Sequence, residues 1–290
     1  MKLVTGGNGF IGSNITGDIK LTRKDCDLTD YESVLESLKK YKPETVIHTA
    51  AKHGSAIEML RGHTEYIENN ILCDINIIKG CKEIGVKNLL MLSTITSFGS
   101  HHQSPLTEES IYGEVNESIF GYAYSKKICA GLCKSYQLDY GLNYKSIYLG
   151  NTYGPHGKFN ENGTVVHNLI YKFCKAIEEN QNVRLYGNGK VFRNYLYVED
   201  LDKILKLIIE NKDIKDPLIV SPNVVVSIID IVNIIKEKLN FKNEVIFDSN
   251  IQIGSNVKVV DNKKLIDSIG HFEFTDINTG IEKTINYYKK

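Results

Sequence analysis

The sequence predicts an α/β protein built on a doubly wound parallel sheet, with a smaller lobe formed by the later part of the chain. Three observations carry that reading. Short apolar segments alternate with helix-length amphipathic ones from residue 2 to about residue 150. Several of the short segments are apolar throughout, as strands buried on both faces are. The first of them runs directly into a glycine-rich turn.

Lys2–Val4 is the first strand. Glycines at 6, 9 and 12 follow it, and they let the backbone turn sharply, approach a pyrophosphate and pack the next helix on the sheet. The amides that open this helix then face phosphate. Gly17 interrupts the helix early, and only 14 residues separate Gly12 from Asp27, so the helix and the second strand, Ile19–Thr22, are both short. Asp30 is placed to cap a helix over Tyr31–Tyr41, which Pro43 stops. Residues 44–51 read as a buried strand, and 65–85 as a helix carrying Asn70 and Asn76. Residues 88–94 read as a strand ending in hydroxyls, and 144–149 as another after an intervening helix. Ligands on such sheets bind beyond the carboxyl ends of the strands, where residues 6–12, 50–54, 94–98 and 151–156 fall.

After residue 150 the alternation loosens. A loop to Gly163 precedes an amphipathic helix over Thr164–Asn180. Strands Val183–Tyr186 and Arg193–Val198 flank a Gly-Asn-Gly turn at 187–189, and Glu199 and Asp200 are placed to cap a helix over Leu201–Glu210. A helix over Ser227–Leu239 and a strand at Glu244–Phe247 follow. The expected division is residues 1–150 as a dinucleotide-binding Rossmann domain and 151–290 as mainly a substrate-binding lobe, with the chain returning to the first around 190–215.

Composition narrows the function. A chain of 290 residues, 42% hydrophobic and 24% charged, has the make-up of an ordinary soluble globular protein. Its 35 basic and 35 acidic side chains cancel, so no global field draws it to nucleic acid or to a membrane. No segment approaches the roughly 20 apolar residues of a membrane span. Met1 leads straight into a strand, with no room for a signal peptide. Six cysteines are scattered without a Cys-x-x-Cys pair, which implies reduced thiols in a cytoplasm, no disulfide framework and no metal.

The densest chemistry lies in Phe120–Lys127. Tyr122 and Lys126 are four apart, so on a helix they share one face. A free phenol titrates near 10, and a lysine cation within ~4–6 Å pulls that value down. The pair is a candidate acid/base device.

With TGGNGFIG at 5–12, DLTD at 27–30, HTAA at 48–51, ST at 93–94, YAYSK at 122–126, NTYGPH at 151–156 and RNYLYVEDL at 193–201, the chain resembles the extended short-chain dehydrogenase/reductase superfamily. AAKHGS at 50–55 and NTYGPHGKFN at 151–160 make it most similar to GDP-L-fucose synthases and related GDP-4-keto-6-deoxysugar reductases. The resemblance implies Tyr122 as proton donor to a keto oxygen, Thr94 as a second hydrogen-bonding group there, and Lys126 on the nicotinamide ribose, lowering the tyrosine's pKa. It implies an NADPH site of Gly6, Gly9, Phe10, Ile11, Gly12, Arg23, Asp27, Leu28, Ala50, Ala51, Lys52, Asn70 and Lys126. Arg23 and Lys24 sit where the second strand ends, so a cation there favours the 2′-phosphate of NADPH, while Asp25 turns with Asp27 toward the adenine.

The resemblance also implies a nucleotide-sugar site that includes Thr96, Asn151, Val165, Arg193 and Lys258. Arg193 suits a diphosphate, Lys258 in Gly254–Lys258 is a second phosphate contact, and His53 is a pocket candidate. The fucose synthases epimerise carbons 3 and 5 with a cysteine and a histidine. Thr96 and Val165 stand at those two positions here, and His167 lies roughly 200° around the helix from Val165. The Asp-Glu pair of 4,6-dehydratases is replaced by Ile95-Thr96. With these departures, the resemblance implies NADPH-dependent reduction of a C4 ketone in a nucleotide-linked, GDP-type 4-keto-6-deoxyhexose or heptose, without epimerisation, by a homodimer, in the cytoplasm that the cysteines imply. The alternatives are a bifunctional GDP-L-fucose synthase, an NAD-dependent 4-epimerase and a non-catalytic NADP-binding sensor.

Overall fold

The computed structural model describes residues 1–54, 56–99, 104–248 and 257–290. In chain order the first half runs β1 (Lys2–Thr5), α1 (Phe10–Asn14), β2 (Ile19–Leu21), α2 (Tyr31–Tyr41), β3 (Thr45–His48), α3 (Ala56–Arg61), α4 (His63–Glu83), β4 (Asn88–Thr94), α5 (Phe120–Tyr140) and β5 (Asn143–Leu149). The second half runs β6 (Asn151–Tyr153), α6 (Val165–Glu178), β7 (Val183–Tyr186), β8 (Phe192–Arg193), β9 (Tyr195–Tyr197), α7 (Val198–Glu210) and β10 (Leu218–Val220). It ends with β11 (Val226–Ser227), α8 (Ile228–Lys238), β12 (Val245–Asp248), β13 (Val257–Lys258), α9 (Lys263–Ile269) and α10 (Ile277–Tyr288).

Six strands form one parallel sheet in the order β10-β5-β4-β3-β1-β2. The order reverses between β1 and β3, and a ligand crevice opens at such a reversal. Successive residues face opposite ways along a strand. Leu3, Val46, Leu89 and Met91 therefore point toward α2, α4 and α5, while Val4, Ile47, Leu90 and Leu92 point toward α1, α7 and α9. Both faces are covered, which accounts for the uniformly apolar strand sequences.

The short first helix and second strand are as the spacing requires. Asp30 accepts from the Ser33 amide at the start of α2. α4 starts at His63 rather than Glu65, and α3, which the sequence did not suggest, precedes it. The strand read over 44–51 stops at His48, and the residues beyond it line the crevice instead.

The second half differs from expectation in two places. β7 and β8 are not a hairpin: β7 pairs in parallel with β12, while β8 pairs with β11 and β13. Glu199 and Asp200 do not cap α7, which begins at Val198 and holds both in its first turn. Asp200 is buried and accepts from the Thr275 amide and hydroxyl, tying the C-terminal segment to α7. The run 193–198 breaks at Asn194, whose buried side chain donates to Val224 O and accepts from the Val260 amide. The chain returns to the large sheet through α7 and β10, while α6, α8 and α10 enclose a separate core around Phe173, Ile231 and Ile281.

All six cysteines are free and buried. Among the described residues no helix is long and apolar enough to cross a membrane, and no three His, Cys, Asp or Glu side chains group as a metal site.

α4 and α5 pack closely because Gly121 brings backbone against backbone. A Cβ there would lie 2.0 Å from His63 O. Gly121→Ala is therefore expected to destabilise by about 1–3 kcal/mol, as overpacking does. Gly131→Ala on the same helix, where an added Cβ meets nothing within 4 Å, should stabilise by roughly 0.5–1 kcal/mol. Denaturant midpoints of the two variants check the pair; equal shifts would contradict the packing argument.

Candidate active site

The crevice at the strand carboxyl ends is a cavity of about 990 Å³, at the upper end of the usual size for a ligand pocket. The loops after β1, β3, β4 and β5 form its floor, Tyr122 and Lys126 of α5 one wall, and residues 161–166, Asn168 and Tyr195 of the second lobe the other. At the glycine turn, Gly6 has φ +67°, and a Cβ on Gly12 would lie 2.2 Å from Gly6 O, so α1 presses directly on the strand end. A Cβ on Gly9 would meet only Gly6 O, at 3.2 Å. Its bare backbone faces the cavity, as close approach of a pyrophosphate requires.

Of the residues assigned from sequence to the cofactor, Gly6, Gly9, Phe10, Ile11, Gly12, Arg23, Asp27, Leu28, Ala50, Ala51, Lys52 and Lys126 all line this cavity. Asn70 does not. Its side chain accepts from the Lys52 amide at 2.7 Å and donates to Lys52 O at 3.1 Å, so it fixes the loop that does, while its neighbour Asn69 reaches the cavity. Asp25 also stands outside: its carboxylate accepts from the Thr22 amide and hydroxyl, turned back on its own strand. Asp27 is held by Thr29, and that hydrogen bond, more than the Arg23 charge, keeps its carboxyl below the usual range.

Thr94, Thr96, Tyr122, Asn151 and Val165 all line the cavity as well. Thr94 Oγ1 accepts from the Thr96 amide at 3.1 Å and lies 3.0 Å from Thr96 Oγ1, so it also caps a short turn. Asn151 donates through its side-chain amide to Asn194 O at 3.1 Å. His53 opens to the cavity, and its ring meets the Tyr122 ring edge-on with centroids 5.1 Å apart. Burial holds the His53 imidazole below its ordinary pKa against the opposing charge of Glu58.

Arg193 and Lys258 are not part of the cavity wall. They face each other in register on β8 and β13, and Lys258 Nζ donates to Thr96 O at 3.4 Å, which sets the two cations just beyond Thr96. Burial and the adjacent guanidinium bring Lys258 down to about 8. Residues 254–256 before Lys258, and Ser55 in the 50–55 motif, lie outside the described residues. His167 is fully buried between Thr164 Oγ1 at 2.7 Å and Gly154 O at 2.8 Å. Both ring nitrogens are engaged, and the side chain is a strut between β6 and α6.

The expected lowering of the Tyr122 pKa does not occur. Burial raises it, Lys126 pulls it down, and Asp74 of α4 pushes it up again; the net displacement is upward. Asp74, which the sequence reading did not single out, is the carboxylate in contact with Lys126. It is 1% exposed, and its carboxylate lies 3.3 Å from Lys126 Nζ and 3.0 Å from His48 Nε2. Its signal was an acidic residue on the same helical stripe as Asn70, Ile77 and Cys81, all buried.

A glycine turn after the first strand of a doubly wound sheet, with a Tyr-Lys pair facing the same crevice, defines an enzyme of the dinucleotide-dependent dehydrogenase class. The chain belongs to the NAD dependent epimerase/dehydratase family, whose profile matches residues 2–221. It is 32% identical over 254 residues to the GDP-L-fucose synthase of Dictyostelium discoideum, covering 82% of this chain and 79% of that one. It is 29% identical over 221 residues to the GDP-L-colitose synthase of Yersinia pseudotuberculosis, covering 72% of each. A crystal structure of a GDP-L-fucose synthetase from Naegleria fowleri bound to NADP matches 99% of this chain and 93% of that one, with a TM-score of 0.90 and 26% identity.

Tyr122→Phe removes one hydroxyl and little volume. NADPH affinity and the melting temperature should hold while kcat falls about 10²–10⁴-fold, the worth of a positioned acid. A variant that turns over at the wild-type rate would exclude Tyr122 as the donor.

Proposed function

We propose that this protein reduces the C4 ketone of a GDP-linked 4-keto-6-deoxy sugar with NADPH, leaving carbons 3 and 5 unepimerised. The observation that carries the reading is the lining of the cavity: Thr94, Tyr122 and Lys126 all border it, and so do Thr96 and Val165, neither of which is an acid or a base. The named relatives, synthases of GDP-L-fucose and GDP-L-colitose, support a GDP-sugar substrate.

The glycine turn fits a dinucleotide pyrophosphate, and NADPH bound along it supplies the hydride. Arg23 is the cation of the Arg23–Lys24 pair that lines the cavity, and it meets the 2′-phosphate. Arg23→Ala should raise the KM for NADPH far more than that for NADH; equal changes would remove this assignment.

Hydride delivery to a ketone leaves charge on oxygen, and a proton must already be in place to meet it. Tyr122 gives its phenolic proton to that oxygen, Thr94 donates a second hydrogen bond, and solvent later restores the phenol. Arg193 and Lys258 hold the diphosphate beyond Thr96, with the guanidinium forked onto two oxygens. The first half of the chain holds the cofactor, and residues 151–290 supply most of the sugar-nucleotide contacts.

Epimerisation needs removal of a proton alpha to the ketone. Neither a threonine hydroxyl nor a valine can accept one near neutral pH. With NADPH in D₂O, the product should carry no deuterium at carbons 3 and 5 and should keep the substrate's configuration there. His53 favours the second reading, a bifunctional synthase, because it is a neutral imidazole open to the same cavity. Deuterium incorporation that His53→Gln abolishes would establish that reading instead.

A further inference from the structure

Four buried side chains form a continuous polar line across the sheet. Thr5 Oγ1 lies 2.8 Å from His48 Nδ1, His48 Nε2 lies 3.0 Å from Asp74 Oδ1, and Asp74 Oδ2 lies 3.3 Å from Lys126 Nζ. Thr5, His48, Asp74 and Lys126 are each at most 1% exposed. An imidazole with its proton on Nε2 and a free Nδ1 satisfies the line throughout, donating to Asp74 and accepting from Thr5. Thr5 immediately precedes the glycine turn, and His48 ends β3 two residues before Ala50. Asp74 thus joins the base of the catalytic pair to the two loops that hold the cofactor.

We propose that Asp74 is a positioning residue that fixes Lys126 and holds Tyr122 in its proton-bearing form, so that the site is set for reduction rather than for oxidation of a carbinol. The proposal rests on the reductase reading above and adds the direction in which this particular site is poised.

The physical case starts from burial. Burial disfavours the charged form of a lysine, and a neighbouring anion offsets that penalty. Here burial works against the Lys126 ammonium, and the Asp74 carboxylate more than restores it. The same carboxylate is kept ionised, against its own burial, by Lys126 and His48. Its field also reaches Tyr122 and opposes that of the ammonium. The other titratable groups facing Tyr122 are His53 from the loop after β3 and Tyr66 from α4. Cys73 stands beside Asp74 on α4, and burial followed by the Asp74 charge pushes its thiol up to about 11. Glu58 of α3 brings a carboxylate to His53 and Tyr66, while the charges that reach Tyr122 itself are those of Lys126 and Asp74. An enzyme that begins by oxidising a carbinol needs a phenolate, and a lysine without a counter-ion would favour one. One that begins by reducing a ketone needs the phenol, which the Asp74 charge preserves.

Asp74→Asn keeps the shape and removes the charge. The alkaline limb of kcat/KM for ketone reduction should move to lower pH, and the reverse oxidation should begin at lower pH. Reduction at pH 7 should fall by about tenfold to a hundredfold, since a misplaced lysine costs rate. NADPH affinity should change little by comparison. A lower rate with an unmoved limb would overturn the proposal, because a purely structural role lowers activity without moving the profile.

A second comparison needs neither substrate nor a folded Asp74→Asn protein. In Lys126→Met and in Lys126→Met/Asp74→Asn, the tyrosinate absorbance lost on adding Tyr122→Phe isolates the Tyr122 titration. It should occur at lower pH in the variant that lacks both charges; coincident curves would overturn the proposal. If the wild-type enzyme reduces no 4-keto sugar nucleotide, the reductase reading fails, and this titration still decides the role of Asp74.

Discussion

The burial of one lysine ammonium between two helices is the constraint on which the site depends. Lys126 lies at the interface of α4 and α5, and Gly121 lets those helices meet backbone to backbone one turn earlier. An ammonium there without its carboxylate would carry a penalty of roughly 3–5 kcal/mol, so the position of α5 and the presence of Asp74 are coupled. Tyr122 takes its place from the same helix. The tyrosine, the lysine and the ends of β1 and β3 are therefore set by one network of contacts.

The two walls of the cavity are built by different physics. The side formed by the glycine turn is backbone: glycines whose missing Cβ atoms let a strand end and a helix start share one space. The opposite side is side chains, with Glu161, Asn162 and Asn168 at the surface and two cations on short strands behind Thr96. His167 fixes this wall by bonding α6 to the loop after β6, and its ring meets Phe10 of the glycine turn at 4.9 Å. The wall is thereby anchored to the glycine turn at that point.

What was legible in the sequence was what is locally determined. The glycine turn, the Asp30 cap, the limits of β4 and the facing of Tyr122 and Lys126 follow from residues within a turn or two of each other. What was not legible depends on distant partners. Asp74 meets Lys126 across 52 positions and His48 across 26. The sign of the Tyr122 displacement depended on that unseen carboxylate and on burial. The β7–β8 region looked like a hairpin because its turn residues are those of a hairpin, yet each strand found its partner elsewhere. Asn70 was assigned to the cofactor from the family resemblance, and only the path of the Lys52 backbone shows that its side chain binds that loop instead of lining the cavity.

The return of the chain to the large sheet bears on how the protein is made. β5 pairs on one side with β10, and the sheet face carrying Val4, Ile47, Leu90 and Ile147 is covered largely by α7. Both elements lie beyond residue 197. A nascent chain that has emerged only to β5 therefore presents an unpaired parallel edge and an apolar face with no cover, the combination that invites misassociation. The part of the chain up to β5 cannot mature as a unit ahead of the rest; the ribosome must deliver about seventy further residues, from Leu149 to Val220, before the sheet closes.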